Sequence, residues 1–348
     1  MTFEPLVEVT RGDRVESVHL GAVAVVDAAG RLRAHVGDPD LVTFLRSTAK
    51  PLQALSLVES GAADAFEFGP CEIAIACGSH SGSDAHADVV RAMLARIGLD
   101  EFALRCGAHR PGDRPTALRL EAAGVGYTPA RHNCSGKHTG MLAQAVYLSL
   151  PTAGYLDPRH RVQQAILHNV AAMAGLDASA IGVAVDGCSA PTFALPLRAA
   201  ALAFARLVDP AGLSPERQTA CRRIVAAMQA QPDMIGGEAS FDTRAMRTLP
   251  GRLISKGGAE GYLGIGVLPG ALYPNSPALG VAMKVADGDS PRARGPASVA
   301  LLRELGLLDG AVPDELASFA SRPVLNIREL QVGEVRPALK LVWDSPLQ

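Results

Sequence analysis

The placement of the strand patterns constrains this chain more than any other feature. Near the start, "SVHLGAVAVVD", "AAG" and "RLRAHVG" read as two strands joined through a glycine turn. Strand patterns then become rare until after residue 260, where "GYLGIGVL", "ALGVAMKVAD" and "PVLNIREL" restore them. Helical spacing fills the interval. One helix is expected over about 47–60, with Ser47 at its start and Gly61 past its end, and "DAHADVVRAMLARIGL" is a second, capped by Ser83 or Asp84. Further helices are expected over 138–149, 158–175, 197–207 and 214–230. Within this stretch "CEIAIACGSHSGSD" reads as a buried strand running into a Gly/Ser loop, and "IGVAVDGC" as a short buried strand. The economical solution is a single domain over 1–348 of α/β (α+β) class. A mixed β-sheet is built from both chain ends, about 1–46 and 240–348, flanked by helices, and carries a helix-rich centre of about 47–239.

Composition narrows the function classes. Forty-eight per cent apolar residues support a sizeable core. A formal charge of −2 gives no electrostatic footprint for nucleic acid or an anionic membrane. The start, "MTFEPLVEVTRGDRVESVHL", lacks the apolar run of an export signal, and no apolar run reaches membrane-spanning length. A cytoplasmic location is therefore expected, with the six cysteines as free thiols or metal ligands.

Lysine usage points to chemistry. Of 33 basic side chains only five are lysine: Lys50, Lys137, Lys256, Lys284 and Lys340. Arginine keeps its proton in a protein, whereas lysine gives it up when desolvated or beside another cation. Lysine in so arginine-rich a chain marks places where a neutral amine is needed. Ser47-Thr48-Ala49-Lys50 is an S-x-x-K motif at an expected helix start. Positions i and i+3 share a helical face, and a lysine of lowered pKa there can take the serine's proton. Lys256, in "RLISKGGAEG", stands between Ser255 and two glycines just ahead of a strand, and the K-G-G run resembles the K-T-G element that accompanies S-x-x-K in serine acyl-transferases. Ser79, in "ACGSHSGSD", is the serine nearest the end of its expected strand. Ser83 reads as a helix cap, and His80 and His86 as ordinary histidines before metal ligands.

"HNCSGKHTGML" concentrates His132, Asn133, Cys134, Ser135, Lys137, His138 and Thr139. A phosphate-binding loop is excluded, because Arg131 and His138 stand where glycine and Ser/Thr would be required. Cys134 and the distant Cys188, in "VAVDGCSAP", could share a zinc ion, completed by His138 or by an unusual lysine. They could equally be two buried core cysteines.

Together, "RSTAKP", "CGSHSG", "HNCSGKHTGML", "VDGCSAPTFALPL" and "ISKGGAEG", in this order, resemble the rhizobial-type, or class 3, L-asparaginase family. That resemblance implies a fold similar to serine β-lactamases and penicillin-binding proteins. It implies two Ser–Lys tandems, Ser47 with Lys50 and Ser79 with Lys256, as catalytic residues. It further implies a Zn2+ site made by Cys134, Lys137 and Cys188, with Arg46, His138 and Asp186 close by, and a homodimer.

The expected activity is hydrolysis of L-asparagine to L-aspartate and ammonia through a Ser47 acyl-enzyme, with zinc positioning the substrate. The rival within enzymes is a β-lactamase or D-Ala-D-Ala peptidase, which S-x-x-K and K-G-G would also serve. The rival outside enzymes is a metal-stabilised regulatory or scaffold protein with idle serines.

Overall fold

The computed structural model describes residues 2–344, and its contacts divide the chain into two compact units. The first comprises Met1–Thr48, Leu195–Asp209 and Arg244–Gln348. Its centre is the 14-residue strand Arg14–Asp27. On one edge the first half of this strand pairs with Glu4–Arg11 and the second half with Leu32–Val36; along the other edge runs Leu279–Val285. Tyr262–Val267 and then Leu253–Gly257 extend the sheet on that side, and Gln331–Pro337 and Arg322–Leu325 extend it beyond Glu4–Arg11. The sheet is thus assembled from both chain ends, as expected. Every pairing among its described strands is antiparallel, a narrower result than a mixed sheet. Hairpins join most neighbouring strands, and hairpins can only make antiparallel pairs.

Two helices cover this sheet. Gly295–Glu304 packs against Gln331–Pro337, and Leu197–Val208 packs across Arg14–Asp27, Tyr262–Val267 and Leu279–Val285. The glycines of "ALG" and "GYLGIG" explain how close the second helix comes. A Cβ on Gly280 would lie 1.8 Å from the carbonyl oxygen of Ala201, and one on Gly264 would lie 2.5 Å from the Phe204 ring. Only a residue without a side chain lets helix and sheet approach so closely.

The second unit comprises Ala49–Ala194 and Pro210–Thr243 and is helical. The Lys50–Glu59 helix runs through its interior, buried from Lys50 to Val58, against Pro70–Cys77, Ser135–Tyr147, Arg161–Ala174 and Pro215–Ala230. A buried polar cluster ties three of these together. Asn169 donates to Ser56 Oγ at 3.1 Å and to Glu59 at 3.0 Å, while Arg217 bonds both Asn169 and Glu59. The expected cap Ser83 is in place, accepting from the His86 N–H; the structure adds Ser214, which accepts from the Arg217 N–H, and Gly175, which closes Arg161–Ala174 in a left-handed conformation.

Two expected strands differ. "CEIAIAC" lies in the helix Pro70–Cys77, not in a strand. Pro70 opens the helix, and the Glu72 carboxylate accepts the Gly69 N–H at 3.0 Å. Ile73 through Cys77 are all buried, so the segment shows no amphipathic period to tell helix from strand. Gly182–Val185 is a strand but an exposed one, with Val183 43 % and Val185 74 % accessible; its hairpin partner Pro191–Pro196 takes the buried position. Among the described residues no helix is long and apolar enough to cross a membrane.

Candidate active site

In the first unit the candidate residues sit where a turn meets a strand. Arg46–Ala49 forms a 3-10 turn that leads into the Lys50–Glu59 helix, and Ser47 is half-buried within it. Arg46 opens the turn at φ 51°, a left-handed conformation that a non-glycine residue adopts only when its surroundings hold it there. Its guanidinium lies 3.9 Å from Glu260. Lys256 is buried inside the strand Leu253–Gly257, not ahead of it. Its amine donates to the Gly257 carbonyl at 2.5 Å, and its own carbonyl accepts the Thr48 hydroxyl at 3.2 Å. The second glycine of K-G-G is a steric requirement. A Cβ on Gly258 would fall 2.8 Å from Thr48 Oγ1 and 2.9 Å from the Leu45 carbonyl. The S-x-x-K turn and the K-G-G strand are therefore packed neighbours in this unit.

In the second unit Lys50 is the hub, 1 % exposed. Its amine donates to the Gly78 carbonyl at 2.7 Å, to Ser79 Oγ at 2.8 Å and to the Asn133 carbonyl at 3.2 Å. Burial pushes its pKa down, partly offset by the Cys134 sulfur beside it. A neutral amine has two N–H bonds and one lone pair. The two carbonyls can only accept, so in the neutral state the lone pair falls to Ser79, the one partner of the three with a proton to give. The sequence spacing assigns Lys50 to Ser47; the hydroxyl bonded to its amine here is that of Ser79. Ser79 follows the Pro70–Cys77 helix at its C-cap glycine, and a Cβ on Gly78 would meet the Met234 carbonyl at 2.3 Å.

The two cysteines also come together. Cys134 caps the Ser135–Tyr147 helix, and Cys188 sits in the turn of the Gly182–Pro196 hairpin, just before Ser189 at φ 67°. The Lys137 amine donates to Cys188 Sγ at 3.1 Å, and the two sulfurs lie close enough to shift each other's titration. Cys188, aided by Lys50 and Lys137, holds Cys134 well below the usual thiol range, while Cys134 and burial raise Cys188. Burial alone would lower Lys137, but the two sulfurs outweigh it and the amine is held above its usual value. Asp186 stands close enough to add to this effect, with its carboxylate accepting the Gly187 N–H at 2.8 Å.

The two sulfurs are donors that zinc prefers, and the Lys137 amine bonded to one of them could serve as a third only after giving up its proton. Among the described residues no group of three or more His, Cys, Asp or Glu side chains could hold a metal, so lysine is the third donor available to this thiol pair. His138 is buried beside this set and held neutral by burial. The Tyr155 hydroxyl accepts from the Arg105 N–H at 3.0 Å and is hydrogen-bonded to His138 Nδ1 at 2.6 Å.

Sequence reading gives no role to Gly78 or His109 and names Asn133 and His132 only as members of a crowded stretch, yet all four shape the surroundings of Lys50 or Cys134. Asn133 and Gly78 act through backbone carbonyls, which carry no residue-type signature. The crowding of "HNCSGKH" is the one signal that marks His132.

The model of the family described as L-asparaginase II matches residues 7–337, and the chain belongs to that family. It is thereby an amidohydrolase by family. No curated protein matches the chain. Among solved structures it is similar to Mglu, at 14 % identity over 84 % of this chain and 69 % of that one, with a TM-score of 0.43. In the Tris and glutamate form of Mglu the match covers 61 % of that chain, also at a TM-score of 0.43. A probable glutaminase from Bacillus subtilis, solved with 6-diazo-5-oxo-L-norleucine, matches at 12 % identity over 82 % of this chain and 84 % of that one, with a TM-score of 0.41.

Proposed function

We propose that the protein hydrolyses the side-chain amide of L-asparagine to L-aspartate and ammonia through a serine ester. The observation that carries this reading is the buried Lys50 amine on the Ser79 hydroxyl, with two fixed carbonyls taking its other positions. Ser47, three residues before Lys50, is the nucleophile that the sequence assigns. Its oxygen attacks the amide carbon, and its proton passes to the Lys50–Ser79 couple and on to the departing ammonia. Water then attacks the β-aspartyl ester, the couple takes one of its protons, and Ser47 recovers its own. Lys256, on the strand beside the Ser47 turn, contributes a second amine to orient the amide. The Lys50–Ser79 bond favours a second reading in which Ser79 itself is acylated.

Cys134, Lys137 and Cys188 would hold zinc, with Arg46, His138 and Asp186 serving substrate binding or the metal's surroundings. Zinc supplies, when bound, a fixed positive charge and an open coordination position for the substrate's α-amino or carboxylate group. The protein acts as a homodimer in the cytoplasm.

The test is ammonia release from L-asparagine, L-glutamine and D-asparagine by metal-free and zinc-loaded protein, alongside a chromogenic β-lactam. Turnover of L-asparagine above the other two amides supports the reading. Turnover of the β-lactam alone, or of nothing, would overturn it in favour of an acyl-transferase or a scaffold.

A further inference from the structure

Both carbonyls that hold the Lys50 amine belong to peptide units pinned from their far side. An amide is planar, and the N–H of one residue points opposite to the C=O of the residue before it. The Gly78 carbonyl shares its plane with the Ser79 N–H, which donates to the Ile235 carbonyl at 2.7 Å. The Asn133 carbonyl shares its plane with the Cys134 N–H, which donates to His132 Nδ1 at 3.0 Å. The first pin is backbone. The second is a buried side chain that the proposed reaction does not otherwise use.

His132 is itself braced. The His109 ring meets it edge-on, with centroids 4.4 Å apart. His109 Nδ1 donates to the Arg110 carbonyl at 2.6 Å, which leaves Nε2 to accept the Asn133 N–H at 3.2 Å. Two consecutive N–H groups just ahead of the Ser135–Tyr147 helix are thus gripped by two imidazoles. In that position the peptide turns its carbonyl to Lys50 and not to water.

We infer that His132, braced by His109, is a positioning residue for Lys50. By accepting the Cys134 N–H it aims the Asn133 carbonyl at the Lys50 amine and so keeps the amine's remaining position on Ser79. The inference rests on the reading of Lys50 as the proton carrier. The geometry also names the side chain that can substitute. A bond from residue i to the N–H of residue i+2 is the Asx-turn bond, which asparagine makes with Oδ1 in the place of Nδ1.

The experiment compares His132→Asn, His132→Leu, His109→Leu and Lys50→Met with wild type in ammonia release from L-asparagine, with zinc content measured on each. Misplacing a catalytic group by about an ångström costs about 100-fold in rate. H132L should lose kcat on that scale with KM little changed, and H132N should recover most of it. H109L, at a half-buried position, should move kcat in the same direction by less, and it serves as the test should H132L not fold. Zinc content should stay at the wild-type level throughout. Wild-type kcat in H132L or, failing that variant, in H109L would overturn the inference. So would an H132N variant as impaired as H132L, or a kcat loss that follows zinc loss and is restored by added zinc. Full turnover in K50M would overturn the proposed reaction and this inference with it. An inactive K50M beside a fully active H132L overturns this inference alone.

Discussion

The Lys50 amine and the Ser79 hydroxyl lie 2.8 Å apart although 29 residues separate them in the chain. The amine is buried and its other contacts are backbone carbonyls and the Cys134 sulfur, whose upward pull on its pKa is outweighed by burial. Desolvation then favours the neutral form, which is the form a proton carrier needs.

Replacing that amine by a guanidinium should be as harmful as removing it. Lys50→Arg keeps a charge but cannot release its proton, and Lys50→Met keeps neither. Both should lose about 100- to 10,000-fold in kcat, the range expected for a lost general base. Steady-state ammonia release measures it, and an active Arg variant would leave Lys50 only an electrostatic part.

The two serines should separate by covalent trapping. Ser47→Ala and Ser79→Ala should each fold, because truncating a half-buried hydroxyl costs about 0–1 kcal/mol. Only one of them should fail to accumulate a β-aspartyl adduct on rapid quenching. Loss of the adduct in S47A assigns Ser47 as the nucleophile, and loss only in S79A assigns Ser79. A Ser47→Ala variant with a tenth or more of wild-type activity excludes Ser47.

Removing a thiol should weaken the metal before the chemistry. Cys134→Ala and Cys188→Ala should each bind less than one zinc per chain and raise KM for asparagine, while some kcat survives at saturating substrate. Elemental analysis beside saturation curves gives both quantities. Wild-type protein that takes up no added zinc would leave the pair as core cysteines.

Gly136→Ala should destabilise even though alanine is the better helix former. A Cβ there would lie 2.3 Å from the Ile75 carbonyl oxygen and 2.7 Å from its carbon, both backbone atoms that cannot turn aside. The gain in helix propensity is about 1 kcal/mol, and overpacking costs about 1–3 kcal/mol. A lower thermal midpoint is expected, and an unchanged or higher one would show that the Pro70–Cys77 and Ser135–Tyr147 helices have room to separate.

Acid should weaken the fold below about pH 6.5. Burial holds His80 and His86 below the usual imidazole range, and His80 also has its hydrogen bonds arranged for a neutral ring. His80 donates through Nε2 to Ser135, which itself donates to the Ala130 carbonyl, and accepts the Gly82 N–H at Nδ1. Once unfolded, both rings take up a proton below about pH 6.5, so the unfolded state binds more protons and stability falls as pH falls. Each ring contributes up to about 1.4 kcal/mol per pH unit between its unfolded and its folded pKa. Thermal midpoints between pH 7.5 and 5 should therefore decline, and a flat or rising profile would contradict the assignment.

Much of the framework was legible because its causes are local. The strand pair flanking "AAG", the helix cap Ser83, and the return of strands after residue 260 follow from period, turn residues and side-chain-to-backbone bonds within a few positions. Where burial removed the period, reading failed. Ile73 to Cys77 look alike as helix or strand, and Val183 and Val185 are apolar yet exposed because a partner strand occupies the inner place.

The residue types of the candidate site were set by the sequence: a few lysines in an arginine-rich chain, two cysteines, and serines beside glycines, each chosen for a proton or a lone pair it can offer. Which of them meet was decided by the tertiary structure alone. Lys50 reaches the Asn133 carbonyl across 83 positions and Lys137 reaches Cys188 across 51. Such contacts depend on helices packing at glycine-sized distances and on peptide planes turned by distant side chains. No pattern along the chain encodes those, because hydrogen-bond geometry is fixed in space while sequence spacing controls only the nearest turn.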